Sequence, residues 1–281
     1  MHGRRASYCL TLLLVGCGQP TPSAAPIADD KKPDAIATPT GTIMGRVVWD
    51  GESPNIPALK VIALKPGALT EQPNPNTPSI NAKTRGVAQA LVFIRQVDFD
   101  GDWPYPQARI VFDDGQLTIH QGERQGRIGI ARRGDDFTAI ALEKKGHHLV
   151  GRGADHFAMP LFEPNQESRR TAKKSGLVEL SSGAGLYWLR GHLWVGDHPW
   201  AAATDADGGF RLLNVPAGRH EVVCLLPSWK HRLERNPETG EIERLAFDPA
   251  VEQVQSTTVN VGATAKLNFT WRTESFTKKA P

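Results

Sequence analysis

The stretch Thr204-Asp-Ala-Asp-Gly-Gly-Phe210, continued by Leu213-Asn-Val-Pro-Ala-Gly218, places two turn signals around a short apolar run. Asp and Gly together make a tight turn that delivers Phe210 inward, and Pro-Ala-Gly makes a second turn feeding the apolar run at 221–226. Strand, turn, strand is the local rule, and the chain on either side obeys it. Toward the C-terminus, Ala265, Leu267, Phe269 and Trp271 share one face of an extended segment while Lys266, Asn268, Thr270 and Arg272 face water. Other short apolar runs, many with period two, fall at 42–49, 59–64, 90–95, 109–112, 116–120, 127–131, 137–142, 177–180, 187–195, 210–213 and 257–261. No segment keeps a helical period over three turns, so the chain reads as all-β with few, short helices. The number of strands fits two β-sandwiches better than one. The Pro-rich 66–88 and the basic 160–175 read as loops, 236–241 as a turn insertion and 247–253 as a surface excursion.

Composition narrows the function. Of 281 residues, 40% are apolar and 22% charged, which is ordinary globular stock and excludes wholesale disorder. Lys plus Arg number 33 against 30 acids, and loss of a leader holding Arg4 and Arg5 leaves 31 against 30. So even a balance offers no surplus for a nucleic-acid backbone, and no nucleic-acid partner is expected. Cys9, Cys17 and Cys224 are too few for a disulfide framework or a four-thiolate zinc site.

The N-terminus carries its own message. Met1 to Arg5 is cationic, and Tyr8 to Val15 is an apolar run too short for a permanent span. Leu14-Val15-Gly16-Cys17 then resembles the bacterial lipobox, in which the cysteine thiol takes a diacylglyceryl group before cleavage. Residues 1–16 are thus expected to be a lipoprotein signal peptide, and Cys17 the lipidation site that holds the protein at a membrane of the cell envelope, periplasmic or at the outer surface. Segment 17–41, with Pro20, Pro22, Pro26, Pro33 and Pro39 and no aromatic residue, reads as a disordered tether. Coil statistics give it a reach of roughly 25 to 30 Å. Cys224 lies in the strand-like His220-Glu-Val-Val-Cys-Leu-Leu226 and reads as a small core hydrophobe.

The turn stretch at 204–218 resembles carboxypeptidase regulatory-like, transthyretin-type sandwiches, as do Gly41-Thr-Ile-Met-Gly-Arg-Val-Val-Trp-Asp-Gly51 and Val87-Ala-Gln-Ala-Leu-Val-Phe-Ile94. One departure is His220, where that family carries an aromatic. The resemblance implies a discontinuous sandwich over 42–99 and 198–272, followed by a disordered tail at 273–281. The insert at 100–197 resembles a cupredoxin Greek-key sandwich ending at Asp197-His198-Pro199-Trp200. Such a family places Cys-x-x-His-Pro-Trp-Met before its last strand, whereas this chain has Gly183-Ala-Gly-Leu186-Tyr-Trp188-Leu189. The first imidazole ligand would match His148, preceded by His147. One imidazole without thiolate or thioether cannot form that copper centre, so a cupredoxin-like domain without metal or cofactor is expected, with Leu filling the ligand pocket.

Other candidates are weaker. His156, His192, His198 and His220 have no ligand spacing, and His192 alternates with Trp188, Arg190 and Trp194 on what reads as a half-buried strand face. Asp98 to Asp102 and Asp205 to Gly208 resemble the start of a calcium loop but lack its distal glutamate, and read as hairpin turns. No catalytic motif appears and no catalytic residues are expected. Trp103 and Trp229 read as an exposed pair able to stack on sugar. The sequence thus leads to a non-enzymatic, membrane-anchored envelope lipoprotein that binds or supports something, an envelope protein or a glycan. A copper redox protein with a rearranged histidine site is the alternative from another class.

Overall fold

A computed structural model describes residues 39–62, 69–144, 146–183, 186, 188–239 and 242–276. Cys17, the leader and the tether up to residue 38 lie outside the described residues, as does 277–281. The body is all-β, and no α-helix occurs among the described residues. Its main strands form four sheets. They stack in pairs because alternation gives each strand two distinct faces, and here most inner strands bury both.

The first sheet holds Gly209–Pro216, Thr40–Trp49, Thr264–Lys266 and Phe269–Trp271; the second holds Ala201–Ala203, Leu91–Ile94, Gly218–Leu226 and Val251–Val259. Between them lies a core of Val47, Trp49, Val92, Val222, Phe269 and Trp271 among others. The 204–218 stretch fixes one edge of this pair. Asp205 Oδ1 accepts the backbone N–H groups of Asp207 (2.9 Å) and Gly209 (2.8 Å), and the Val47 N–H donates to the Gly208 carbonyl at 2.8 Å. Gly208 needs its missing side chain: its φ is +78°, and a Cβ would stand 2.1 Å from the Val47 oxygen. The expected alternation at 265–271 is present, with Phe269 and Trp271 fully buried and the intervening polar residues exposed. Leu267 and Asn268 separate it into two strands where the Asn268 side chain accepts the Arg46 N–H at 2.9 Å.

The third sheet runs in the order Ile128–Arg132, Arg190–Gly196, Gly176–Ser182, His147–Gly153, Phe157–Leu161. The fourth runs Ser168–Thr171, Asp136–Ala141, Arg109–Asp113, Gln116–Gln121, Arg124–Gly126. Phe112, Phe137, Leu149, Leu180 and Leu193 help fill the space between them.

A third core joins the second and third sheets: Leu91, Phe93, Val223 and Leu225 meet Ile128 and Ile130, with Leu177 and Trp194 packed against them. The Phe93 and Trp194 ring centroids are 4.0 Å apart. This explains two sequence features. The unbroken apolar runs Leu91–Ile94 and Val222 to Leu226 have no polar alternation because even and odd positions enter different cores.

Several expectations are corrected. The first strand begins at Thr40, inside the segment read as tether. Segment 160–175, read as loop, contributes Ser168–Thr171 to the fourth sheet, and 66–88 holds the short strands Leu69–Gln72, Ser79–Ile80 and Val87–Ala88. The excursion at 247–253 is largely strand, since Val251–Val259 pairs with Gly218–Leu226 along its whole length. His147–Gly153 was not anticipated as a strand because its alternation is interrupted by Gly and Arg. The tail expected from 273 opens with a 3-10 turn at Thr273–Phe276, whose Phe276 is buried against Trp229 at 4.0 Å between centroids.

Candidate functional site

Strand Arg190–Gly196 builds the site by alternation. Gly191, Leu193 and Val195 take the face of the third sheet toward the fourth, which sends Arg190, His192 and Trp194 toward the second. Glu179 and Arg152 stand beside His192 in the same cross-strand row. At the Trp194 end the two sheets close on apolar side chains. At the Arg190 end they part around a cleft of about 520 Å³, whose walls include Leu177, Leu225, Pro227 and Phe247.

Arg190 is buried at 5% exposure and ties the cleft together. Its guanidinium pairs with Glu179 and donates to the Leu245 carbonyl, and it stacks 5.1 Å from the Phe247 ring centroid. The hairpin of His231–Arg235 and Ile242–Phe247 is thereby pinned beside the opening.

His192 is 6% exposed, and its ring nitrogens have no hydrogen-bond partner among the described residues although the residue borders the cleft. Burial, reinforced by the positive charges of Arg127 and Arg190, lowers its pKa to about 3. The imidazole is therefore neutral. A small pocket of about 30 Å³ adjoins the cleft and is lined by Arg127, Arg190 and His192 together. Arg127 is positioned by its backbone, whose N–H donates to Gln89 Oε1 (2.8 Å) and whose carbonyl accepts the His192 N–H (2.7 Å). Burial works against its charge, with no acid among the described residues offsetting it.

The sequence named His192 and Arg190 but read their face as half-buried surface; both are buried, because the second sheet covers it. Arg127, Glu179 and Arg152 were missed. Their only sequence signal is a charge inside or beside an apolar strand, which by itself points as readily to a solvated face. Cys224 is fully buried in the first core. Burial pushes its thiol up to about 12, while the Trp271 indole N–H donates to its Sγ at 3.3 Å. His220 is structural, its Nε2–H donating to the Pro216 carbonyl at 2.7 Å. His156 is exposed at the cleft rim, and His198, lowered mainly by burial, packs against Trp200.

Asp205 is occupied by backbone N–H donors and Asp207 Oδ1 accepts from Asn81 and Thr84, so this segment is a hydrogen-bonded turn rather than a cation loop. Asp98, Asp100 and Asp102 are exposed. Trp103 and Trp229 do not form an exposed pair: both are half-buried, Trp103 against Tyr105 at 5.8 Å and Trp229 against Trp49 and Phe276.

Comparison with known proteins gives folds only. No family model matches the chain, and no curated protein matches it. Among solved structures it is similar to a purple cupredoxin from Nitrosopumilus maritimus, at 13% identity over 32% of this chain and 100% of that one, with a TM-score of 0.25. It is similar to the reduced Cu(I) form of an amicyanin variant at 16% identity, over 37% of this chain and 98% of that one, TM-score 0.27. A copper-containing nitrite reductase from Thermus scotoductus is matched at 13% identity over 37% of this chain, TM-score 0.28, and only 25% of that enzyme's length is covered.

The residues at the expected copper position do not fit a mononuclear thiolate centre. Leu186 and Leu189 are buried in the apolar core between the third and fourth sheets. His147, rather than His148, points inward: it is 1% exposed, its ring lies 4.5 Å from that of Phe112, and its Nε2 is held 2.8 Å from Glu143 Oε1. Its Nδ1 is buried without a partner, yet the thiolate that makes such a site tight is missing beside it, Cys224 lying in another core. His148 instead packs edge-on against Phe162 at 5.0 Å.

Proposed function

We propose that this protein is a non-enzymatic lipoprotein of the bacterial envelope, held at the membrane through Cys17, whose body is a binding module with its ligand seat in the cleft between the second and third sheets. The finer assignment of 42–99 and 198–272 to a regulatory-like sandwich and of 100–197 to a cupredoxin-like insert belongs to the same reading. One observation carries the binding role: two sheets that share an apolar core part at one end around about 520 Å³ lined by apolar residues such as Leu177, Leu225 and Phe247, by charged ones such as Arg190 and Glu179, and by a buried imidazole with no hydrogen-bond partner among the described residues. Concave apolar surface with a few convergent polar groups is the usual make-up of a small-molecule site. A non-enzymatic role is supported by His192 itself, since an imidazole held at about 3 is a poor proton shuttle near neutrality.

Native mass spectrometry of protein purified from envelope membranes tests both parts. A small molecule retained by the wild type and lost in Ala250→Trp, which fills the cleft from its half-buried rim, is the expected result. Cys17→Ser is expected to move the protein from the membrane to the soluble fraction. Unchanged membrane retention in that variant, or equal occupancy in Ala250→Trp, sinks the corresponding part.

A further inference from the structure

Charge pairing around the cleft is uneven. Each acid that borders it has a basic partner: Glu179 pairs with Arg190, Glu252 with Arg95 at 3.1 Å, and Asp248 with Arg232 at 3.9 Å. The bases do not all have acids. Arg127 has no carboxylate within ion-pair distance among the described residues and no side-chain hydrogen bond, although its burial disfavours the charge it always carries. Arg152 has only the Ser181 hydroxyl, at 3.4 Å. Arg127, half-buried, lines with Arg190 and His192 a pocket of about 30 Å³ that opens beside the larger cleft. His192 lines the same pocket, nine-tenths buried, and its neutral ring has one N–H able to donate to whatever enters.

We propose that the inner end of the cleft, where Arg127, His192 and Arg190 converge, is a seat for a single anionic group, a carboxylate or a phosphate, on a ligand whose apolar part lies along Leu177, Leu225 and Phe247. The proposal rests on the cleft being the binding site. An anion there supplies the missing counter-charge of Arg127, accepts charge-assisted hydrogen bonds from a guanidinium, and accepts one from the neutral imidazole without any residue moving its proton. The apolar walls then contribute in proportion to the hydrocarbon they cover. No acid among the described residues reaches Arg127, so none of them competes for the seat.

The test uses the purified full chain at fixed ionic strength, with hexanoate, hexan-1-ol, hexylammonium and inorganic phosphate as probes, and reads affinity by calorimetry alongside Tm. Hexanoate is expected to bind about tenfold or more tightly than hexan-1-ol, as the loss of a charged hydrogen bond implies, and hexylammonium not to compete. Phosphate alone is expected to raise Tm if the seat accepts either head group; a response to hexanoate only assigns it to carboxylates. Arg127→Gln is expected to bring hexanoate down to the level of hexan-1-ol while leaving the ligand-free Tm unchanged or higher, because a half-buried charge with no acid beside it among the described residues has been removed. Arg124→Gln, on an exposed position, serves as the control. A shift of the His192 ring proton resonances on adding hexanoate to the wild type gives a reading that needs no variant to fold. Equal binding of hexanoate and hexan-1-ol overturns the anionic seat and keeps the cleft, whereas no binding of any probe overturns both. A large drop in ligand-free Tm on Arg127→Gln makes Arg127 a structural residue and overturns the seat.

Discussion

Replacing His192 with glutamine tests the electrostatics of the cleft through stability. In the folded protein His192 is lowered from its ordinary 6.5 to about 3, with burial the largest cause and Arg127 and Arg190 adding to it. The unfolded chain therefore binds a proton between those two values that the folded chain refuses. The sign follows from linkage: stability rises with pH wherever the unfolded state holds more protons, so the contribution is fully present above about pH 6.5 and is lost as pH falls toward 3. From about pH 7.5 to about pH 5, one such histidine removes about 2 kcal/mol, and about 3 kcal/mol by pH 4. Glutamine keeps a polar side chain in the cleft and cannot titrate. Urea unfolding of the wild type and His192→Gln at both pH values should show the wild type losing about 2 kcal/mol more than the variant. The difference between proteins cancels His198 and the carboxylates, which titrate in both. Parallel losses, agreeing within about 0.5 kcal/mol, would refute the reasoning, because burial beside the positive charges of Arg127 and Arg190 is what keeps a proton off the native imidazole.

Two further outcomes follow from the packing. Phe93→Ala removes a 5%-exposed ring that stands 4.0 Å from Trp194, and is expected to cost about 3 to 5 kcal/mol and to separate fluorescence and circular-dichroism unfolding curves that are expected to coincide in the wild type. A loss below about 1 kcal/mol with coincident curves would mean that the third core carries no coupling. Gly208→Ala places a methyl 2.1 Å from the Val47 oxygen at a φ of +78° and is expected to cost about 2 to 4 kcal/mol, read as a fall in Tm. Gly262→Ala, with φ +67° and nothing within 4 Å, is expected to cost only about 1 kcal/mol; equal effects would show that conformation, not contact, governs both.

The fold class was legible at the turn stretch and at 265–271, where polar and apolar residues alternate and one face of the sheet is wet. It was less legible at 147–153 and 168–171, where Gly and Arg interrupt the alternation, and at 251–253, whose polar residues made the start of a strand look like surface. There the edge position in the sheet decides, since an edge strand keeps an exposed face and needs few apolar residues. At the 183–189 loop Leu186 and Leu189 are buried in the apolar core, as their residue type suggests, whereas of the two adjacent histidines it is His147 that is buried, while His148 is only half-buried. The pair is adjacent, and neighbouring residues on a strand must take opposite faces, but only the register with Phe157–Leu161 says which is which.

Alternation and turn chemistry determine from the sequence alone that this is a layered β protein. They also determine that Arg190, His192 and Trp194 share a face, because a strand has a period of two. What covers that face is not a local property. It depends on the third sheet meeting the second, on a hairpin from 231–247 closing one side, and on Arg127 arriving from the bend just before Ile128–Arg132, more than sixty positions away from His192. Only the tertiary structure brings those groups out of water together, and an uncompensated charge acquires its meaning from the water it has lost.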